Sequence, residues 1–137
     1  MQLTARDHKR LEGLHPDLVR VVVRAAEITP VPFMVVEGLR TRERQAQLLR
    51  ERKSTTMNSR HLTGHAVDLV PLADVDLDGD LDVSWRWQDY YRLAPVIKAV
   101  AVELGVQLEW GGDWRDFKDG PHWQLPWKSY PTPRGEG

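Results

Sequence analysis

Cysteine is absent from this chain of 137 residues. No disulfide can brace it and no thiolate can ligate a metal, so any metal must be held by imidazole and carboxylate groups. A zinc-finger fold is thereby excluded. Excess charge is also missing. Nineteen Lys and Arg stand against 20 Asp and Glu, which leaves no global field to draw the chain to nucleic acid or anionic lipid. No apolar stretch is long enough to span a bilayer, and Met1–Arg10 carries charge where a signal peptide needs an apolar core. Synthesis in the cytosol, without stable membrane association, is the expectation. Internal repeats and interdomain linkers are lacking too, so the length suits one domain over residues 1–137 with a single core. The tail from about residue 128, with Pro131, Pro133, Gly135 and Gly137, is expected to be loosely ordered.

What is present organises readily. Thr4 and Asp7 have the spacing of a capping box, and Leu18, Val21, Val22, Ala25 and Ile28 recur at helical intervals over Pro16–Ile28. Pro30 and Pro32 stop that helix, and Phe33–Glu37 reads as a short buried strand ending at Gly38. Thr41–Lys53 is rich in helix formers, its Arg run reading as a solvated face. Ala66–Leu72 has the β-branched and apolar content of a strand. Asp74, Asp76 and Asp78 with Gly79 invite a calcium-loop reading, but the twelfth position is Trp85 where such a loop needs a bidentate Glu. A hairpin turned at Asp78-Gly79 is the preferred reading. Gln88–Leu104 predicts the longest amphipathic helix, stopped at Gly105, with Pro95 implying a kink or a later start. Val106–Trp110 and His122–Leu125 read as the last two strands. Among Trp110, Trp114 and Trp123, core packing is expected for at least two. The order of elements points to an α+β domain, with helices packed on a small, mainly antiparallel sheet whose centre carries a metal.

The chemistry-bearing feature is a split motif, S-x-H-x-x-G-x-A-x-D over Ser59–Asp68 and D-x-x-H over Asp119–His122. His61, Asp68 and His122 supply the three protein ligands that a catalytic zinc ion takes while a fourth position stays open for water. His61 and Asp68 lie seven residues apart, which does not match one helical face, so a loop residue and a strand residue must converge. Gly64 lets the backbone turn or approach closely between them, and Ala66 keeps the strand thin beside the metal. Asp119, three residues before a ligand, is placed to act as general base on water. His65 falls on the opposite side of the strand from Asp68 and is not expected to bind metal. His8 and His15 are expected at the surface.

These motifs, within a match running from Pro32–Thr41 to Trp123-Gln124-Leu125, resemble those of the zinc-dependent DD-peptidase-like family. It includes D-alanyl-D-alanine dipeptidases and carboxypeptidases and, in its compact branch, phage L-alanyl-D-glutamate endopeptidases. The resemblance implies one zinc ion on His61, Asp68 and His122, Asp119 as base, Arg40 stabilising the oxyanion beside the metal, and Ser59 lining the substrate pocket. For Arg40 a salt bridge to the following helix is the alternative, and for Ser59 a cap hydrogen bond. The dipeptidase branch has Glu at the position of Asp119, a longer reach. The implied function is hydrolysis of the peptidoglycan stem peptide. The compact domain favours the L-Ala-D-Glu bond and an endolysin that reaches the wall after membrane permeabilisation, acting as a monomer. A D-Ala-D-Ala carboxypeptidase or dipeptidase, a component of a phage particle carrying the same domain, and a zinc-binding module without catalysis remain the alternatives. Cobalt, nickel or manganese can occupy the same donor set.

Overall fold

Local caps and apolar stripes account for the helices of the computed structural model, which describes residues 1–54, 56–57 and 59–132. Helix α1 (Ala5–Leu11) begins at Thr4, whose hydroxyl accepts the Asp7 amide while the Asp7 carboxylate accepts the Thr4 amide. Helix α2 (Pro16–Ile28) has Pro at its first position and buries Leu18, Val21, Val22 and Ala25. His15, expected at the surface, is half-buried because its Nδ1 accepts the Asp17 amide and caps this helix. Strand β1 (Phe33–Glu37) follows, then α3 (Arg42–Arg50), capped by the Thr41 hydroxyl. Strand β2 (Ala66–Ala73) and the short β3 (Asp82–Val83) precede α4 (Trp87–Leu104). Helix α4 runs through Pro95 without a later start. The carbonyl that Pro95 cannot serve belongs to Tyr91, which is exposed, so water can satisfy it.

Strands β4 (Glu109–Trp110) and β5 (His122–Gln124) close the sheet, and β4 is shorter than the apolar pattern implied. Val106 is diverted because its amide caps α4 by bonding Ala101 O at 2.9 Å. The sheet order is β1-β2-β5-β4, all antiparallel, with β3 paired to the far end of β2. The acidic run thus forms the expected hairpin. Asp74 and Asp78 carboxylates accept the amides of Asp78, Gly79 and Asp80 within the turn. Asp74, Asp76 and Asp78 bring their oxygens within 4.8 Å of one another, mostly exposed.

One face of the sheet presents Phe33, Val35, Val67, Leu69, Trp123 and Leu125 to a core shared with α2 and α4. Trp110 and Trp123 stack there, 5.7 Å between centroids, so two of the three clustered Trp residues are core, as expected. The edge of β1 is covered by α1, where Asp7 accepts the Val35 amide and Arg10 donates to Val35 O, each at 2.9 Å. The start of the tail is tied down as well. Tyr130 donates to Asp17 at 2.7 Å, and the buried Arg60 donates to Leu125 O and Tyr130 O, each at 2.8 Å. Residues 133–137 lie outside the described residues.

Gly64 is a tight joint near the site. It is left-handed at φ 77°, and a Cβ there would overlap the Gly13 carbonyl oxygen, while its own carbonyl accepts the His15 amide at 2.8 Å. Gly79 is also left-handed, at φ 90°, but faces open space. Gly79→Ala is therefore expected to cost only the left-handed strain, about 1–2 kcal/mol. Gly64→Ala should cost clearly more than that. Paired denaturant titrations check the ranking, and equal losses would contradict the close approach.

Candidate metal centre and active-site cleft

The motif residues are assembled by strand register. Asp68 on β2 stands opposite Glu37 of β1 on one side and His122 of β5 on the other. Directly opposed residues project to the same face, so these three side chains leave the sheet together, away from the core-facing Val67 and Leu69. His61 arrives from outside the sheet, on a 3-10 turn over Arg60–Thr63 in which its own amide donates to the capping Ser59 hydroxyl. Its Nε2 lies 3.2 Å from Asp68 Oδ1, and His122 Nδ1 lies 3.5 Å from the same oxygen. One ligand atom from each residue falls within 4.8 Å of the others.

The outer nitrogen of each imidazole is engaged. His61 Nδ1 donates to the Gly38 carbonyl at 2.8 Å. His122 Nε2 donates to Gln124 Oε1 at 2.8 Å, and the Gln124 amide in turn donates to Glu109 at 3.0 Å. These outer bonds select the neutral tautomers in which His61 Nε2 and His122 Nδ1 carry lone pairs. When both imidazoles are neutral, two lone pairs face an ionised carboxylate with no proton among them. A cation relieves that repulsion, and two imidazoles with one carboxylate are a donor set suited to zinc or a similar divalent ion. The residues fit the group that their pattern implied. Ala66, fully buried and opposite Gln124 in the register, leaves the space beside the Gln124 amide clear.

Around this cluster a cleft of about 810 Å³ is lined by Arg40, Ser59, Asp119 and Trp114 among others. Arg40 meets Glu37 with two bonds of 2.9 and 2.8 Å, donates to Gln45 Oε1 on α3 at 2.8 Å, and keeps Nη2 at 3.8 Å from Asp68 Oδ2. Its close ion pair is thus with Glu37 of β1, the following helix being joined through the neutral Gln45, and it also borders the three candidate ligands. Ser59 caps the His61 turn and also stands on the wall of the cleft. Asp119 is held by its backbone, its amide bonding Gly111 O at 3.0 Å and its carbonyl accepting the His122 amide at 3.3 Å. The Trp114 ring lies 5.1 Å from that of His122. His65 turns away, bonding Thr63 at 2.8 Å and packing near His15.

Gln45 and Gln124 are the residues sequence reasoning missed. Gln45 is fully buried and joins Arg40 to Ser54 and the Thr56 carbonyl. Its position in a polar helix gave no hint of this. Gln124 could have been found, because two residues beyond His122 on a strand means the same face.

Burial works against the charge on Asp68, but His61 and His122 beside it outweigh burial and hold its carboxyl well below the usual range. The cleft walls withdraw water from Asp119 and Asp68 repels its charge, so its carboxyl is pushed up. Burial works against protonation of His122, yet Asp68 raises it above the ordinary imidazole value, whereas burial lowers His65. In metal-free protein His122 should therefore keep its proton to higher pH than His65. A raised His contributes stability that is present below its unfolded pKa near 6.5 and lost as pH rises through the folded value. Imidazole ¹⁵N shifts followed across pH 5–9 report the order directly, and the reverse order would refute it.

Comparison with known proteins agrees with this geometry. The model of the phage L-alanyl-D-glutamate peptidase family matches residues 1–125. The L-alanyl-D-glutamate peptidase of Escherichia phage T5 is 33% identical over 115 residues, covering 81% of this chain and 80% of that protein. The protein of the same name from Listeria phage A118 is 36% identical over 107 residues, of which this chain spans only 35% of the length. The crystal structure of the Serratia marcescens L-Ala D-Glu endopeptidase ChiX superposes with a TM-score of 0.86 at 45% identity, covering 96% of this chain and 95% of that one. Such a match over nearly the whole chain leaves one assignment: the chain belongs to the phage L-alanyl-D-glutamate peptidase family.

Proposed function

We propose that the chain is a zinc peptidase that hydrolyses the L-Ala-D-Glu bond of the peptidoglycan stem, with His61, Asp68 and His122 as ligands. The observation that carries this reading is the convergence of one ligand atom each from His61, Asp68 and His122, within 4.8 Å of one another, in the cleft that Asp119 and Arg40 also line. Zinc held there would supply Lewis acidity, bringing the pKa of water in its shell down toward about 7. The chain's own groups do the rest. Asp119 accepts the proton of the attacking water and returns it to the D-Glu nitrogen as the amide bond breaks. A carboxyl raised by its cleft and by Asp68 is better matched to that two-way transfer than an ordinary aspartate. Arg40 has N–H groups left over from Glu37 and Gln45 to face the developing oxyanion, and Glu37 and Gln45 fix its plane. Ser59 orders the His61 turn and lines the floor on which the peptide rests.

The phage relatives support a role in host lysis, exercised on the wall once the membrane is breached. No described helix is long and apolar enough to cross a membrane.

His61→Ala, Asp68→Ala and His122→Ala should each lose metal by elemental analysis, and chelation should stop turnover until zinc is restored. Asp119→Ala should retain metal and fold but lose roughly a hundredfold to ten-thousandfold in rate. Mass spectrometry of digested peptidoglycan reads the bond: new N-terminal D-Glu is expected, and released D-Ala would replace this reading with a carboxypeptidase. Wild-type turnover by metal-loaded Asp119→Ala would remove Asp119 as the base.

A further inference from the structure

The two walls of the cleft differ in chemistry. Sheet order separates them, since Arg40 and α3 follow β1 while the loop from Gly111 to Pro121 leads into β5 on the other side of Asp68. Trp85 follows β3 on that second side too, since Ser84 bonds Pro71 O while Pro121 O accepts the Leu69 amide. The α3 wall carries Arg52 and Lys53; the opposite wall carries Trp85, Trp114 and Phe117.

Phe117 and Trp85 have no packing reason to be aromatic. They are 80% and 64% exposed. Phe117 is also held in the left-handed region at φ 54°, and Arg52 on the facing wall at φ 59°. Among the described residues only Leu77 shares this conformation without being glycine, and Arg52 and Phe117 both line the cleft. For Arg52 the conformation is the ordinary left-handed close of α3, its amide bonding Leu49 O at 3.1 Å and the Lys53 amide bonding Leu48 O at 2.8 Å. Phe117 closes no helix, and strain of its kind persists where a side chain must be presented. Among the described residues no carboxylate pairs with Arg52, whereas Lys53 reaches Glu51 at 3.3 Å.

The proposed substrate is just as unequal on the two sides of its scissile bond. The carbonyl side is a single L-Ala joined through a lactyl group to an uncharged amino sugar. The amine side begins with D-Glu, whose α-carboxylate is free, and continues through residues bearing further carboxylates. Sugar rings offer C–H faces that stack on exposed aromatics, and carboxylates seek the planar fork of Arg.

Resting on the proposed peptidase reading, we infer that Phe117 and Trp85 form a sugar-stacking subsite and that Arg52 binds the carboxylates of the departing fragment, so that the stem crosses the cleft in one direction. Lys118, next to Phe117, adds charge to the aromatic wall, but an uncharged sugar gains nothing from it.

The test uses three substrates of the zinc-loaded protein: a disaccharide-tetrapeptide, the N-acetylated tetrapeptide, and that tetrapeptide with its carboxylates amidated. Phe117→Ala should lower kcat/KM for the disaccharide substrate by about three- to tenfold relative to the sugar-free peptide. Arg52→Ala should lower it by about tenfold or more on the free-carboxylate peptide, with the wild-type preference over the amidated peptide abolished. Circular dichroism and metal content of both variants confirm that fold and zinc are kept. Binding of the two products, followed by NMR, gives a readout independent of turnover. Disaccharide-L-Ala should shift the Trp85 indole N–H, and the amine-side tripeptide the Arg52 Nε–H. Equal losses on substrates with and without sugar for Phe117→Ala, or an unchanged carboxylate preference in Arg52→Ala, would overturn the orientation. A wild-type protein that cleaves none of the three would instead overturn the peptidase reading, while the product-binding shifts still report on the walls.

Discussion

The register that sets Asp68 opposite His122 is the constraint on which the rest of the site depends. Antiparallel pairing puts opposed side chains on one face, so this single alignment delivers a carboxylate and an imidazole to the same spot. A slip of one residue would send His122 into the core and Trp123 into the cleft. The core guards against that slip. Trp123 and Leu125 are nearly fully buried, and Trp123 is stacked on Trp110. The hydrophobic face thus specifies the catalytic face without touching it.

Convergence of like groups then needs support from behind. Each imidazole is aimed by a hydrogen bond on its far side, to Gly38 O for His61 and to Gln124 for His122. Gly38 directly follows β1 and Gln124 lies two residues beyond His122 on β5, so both partners are anchored to the sheet itself. Arg40 is handled the same way, clamped by Glu37 and Gln45 before it can reach Asp68. Outer partners of this type commonly govern metal affinity by tenfold to a hundredfold, because a loosely held imidazole must be reordered each time the ion binds.

Much of this was legible in the sequence, and the reasons differ by element. Helix α2 and strands β1 and β2 match their expected spans because cap, period and breaker agree there. The three candidate ligands were legible because their motif is dense in residue types with few other uses in combination. The shortness of β4 was not legible, since nothing in Val106 says that its amide will close a helix. Neither was Gln45, a common helix former whose burial follows only from Arg40 needing an acceptor. Nor was His15, which looks like a surface residue until its ring is seen to cap α2.

Arg60 shows how the loop carrying His61 stays in place without being part of the sheet. Its side chain is almost fully buried, stands 4.2 Å over the Trp127 ring, and donates to the carbonyls of Leu125 and Tyr130. Leu125 follows directly on β5, the strand that carries His122, and its amide returns a bond to His65 O at 2.9 Å. The segment bearing the first ligand is therefore laced to the segment bearing the last by bonds running both ways. A buried guanidinium needs several such acceptors to offset its lost hydration, and carbonyls at a strand end are acceptors the ladder no longer uses. The same bonds that solvate Arg60 keep the two imidazoles 5.0 Å apart. Placement of the candidate metal ligands and burial of this cation are one structural problem with a shared solution.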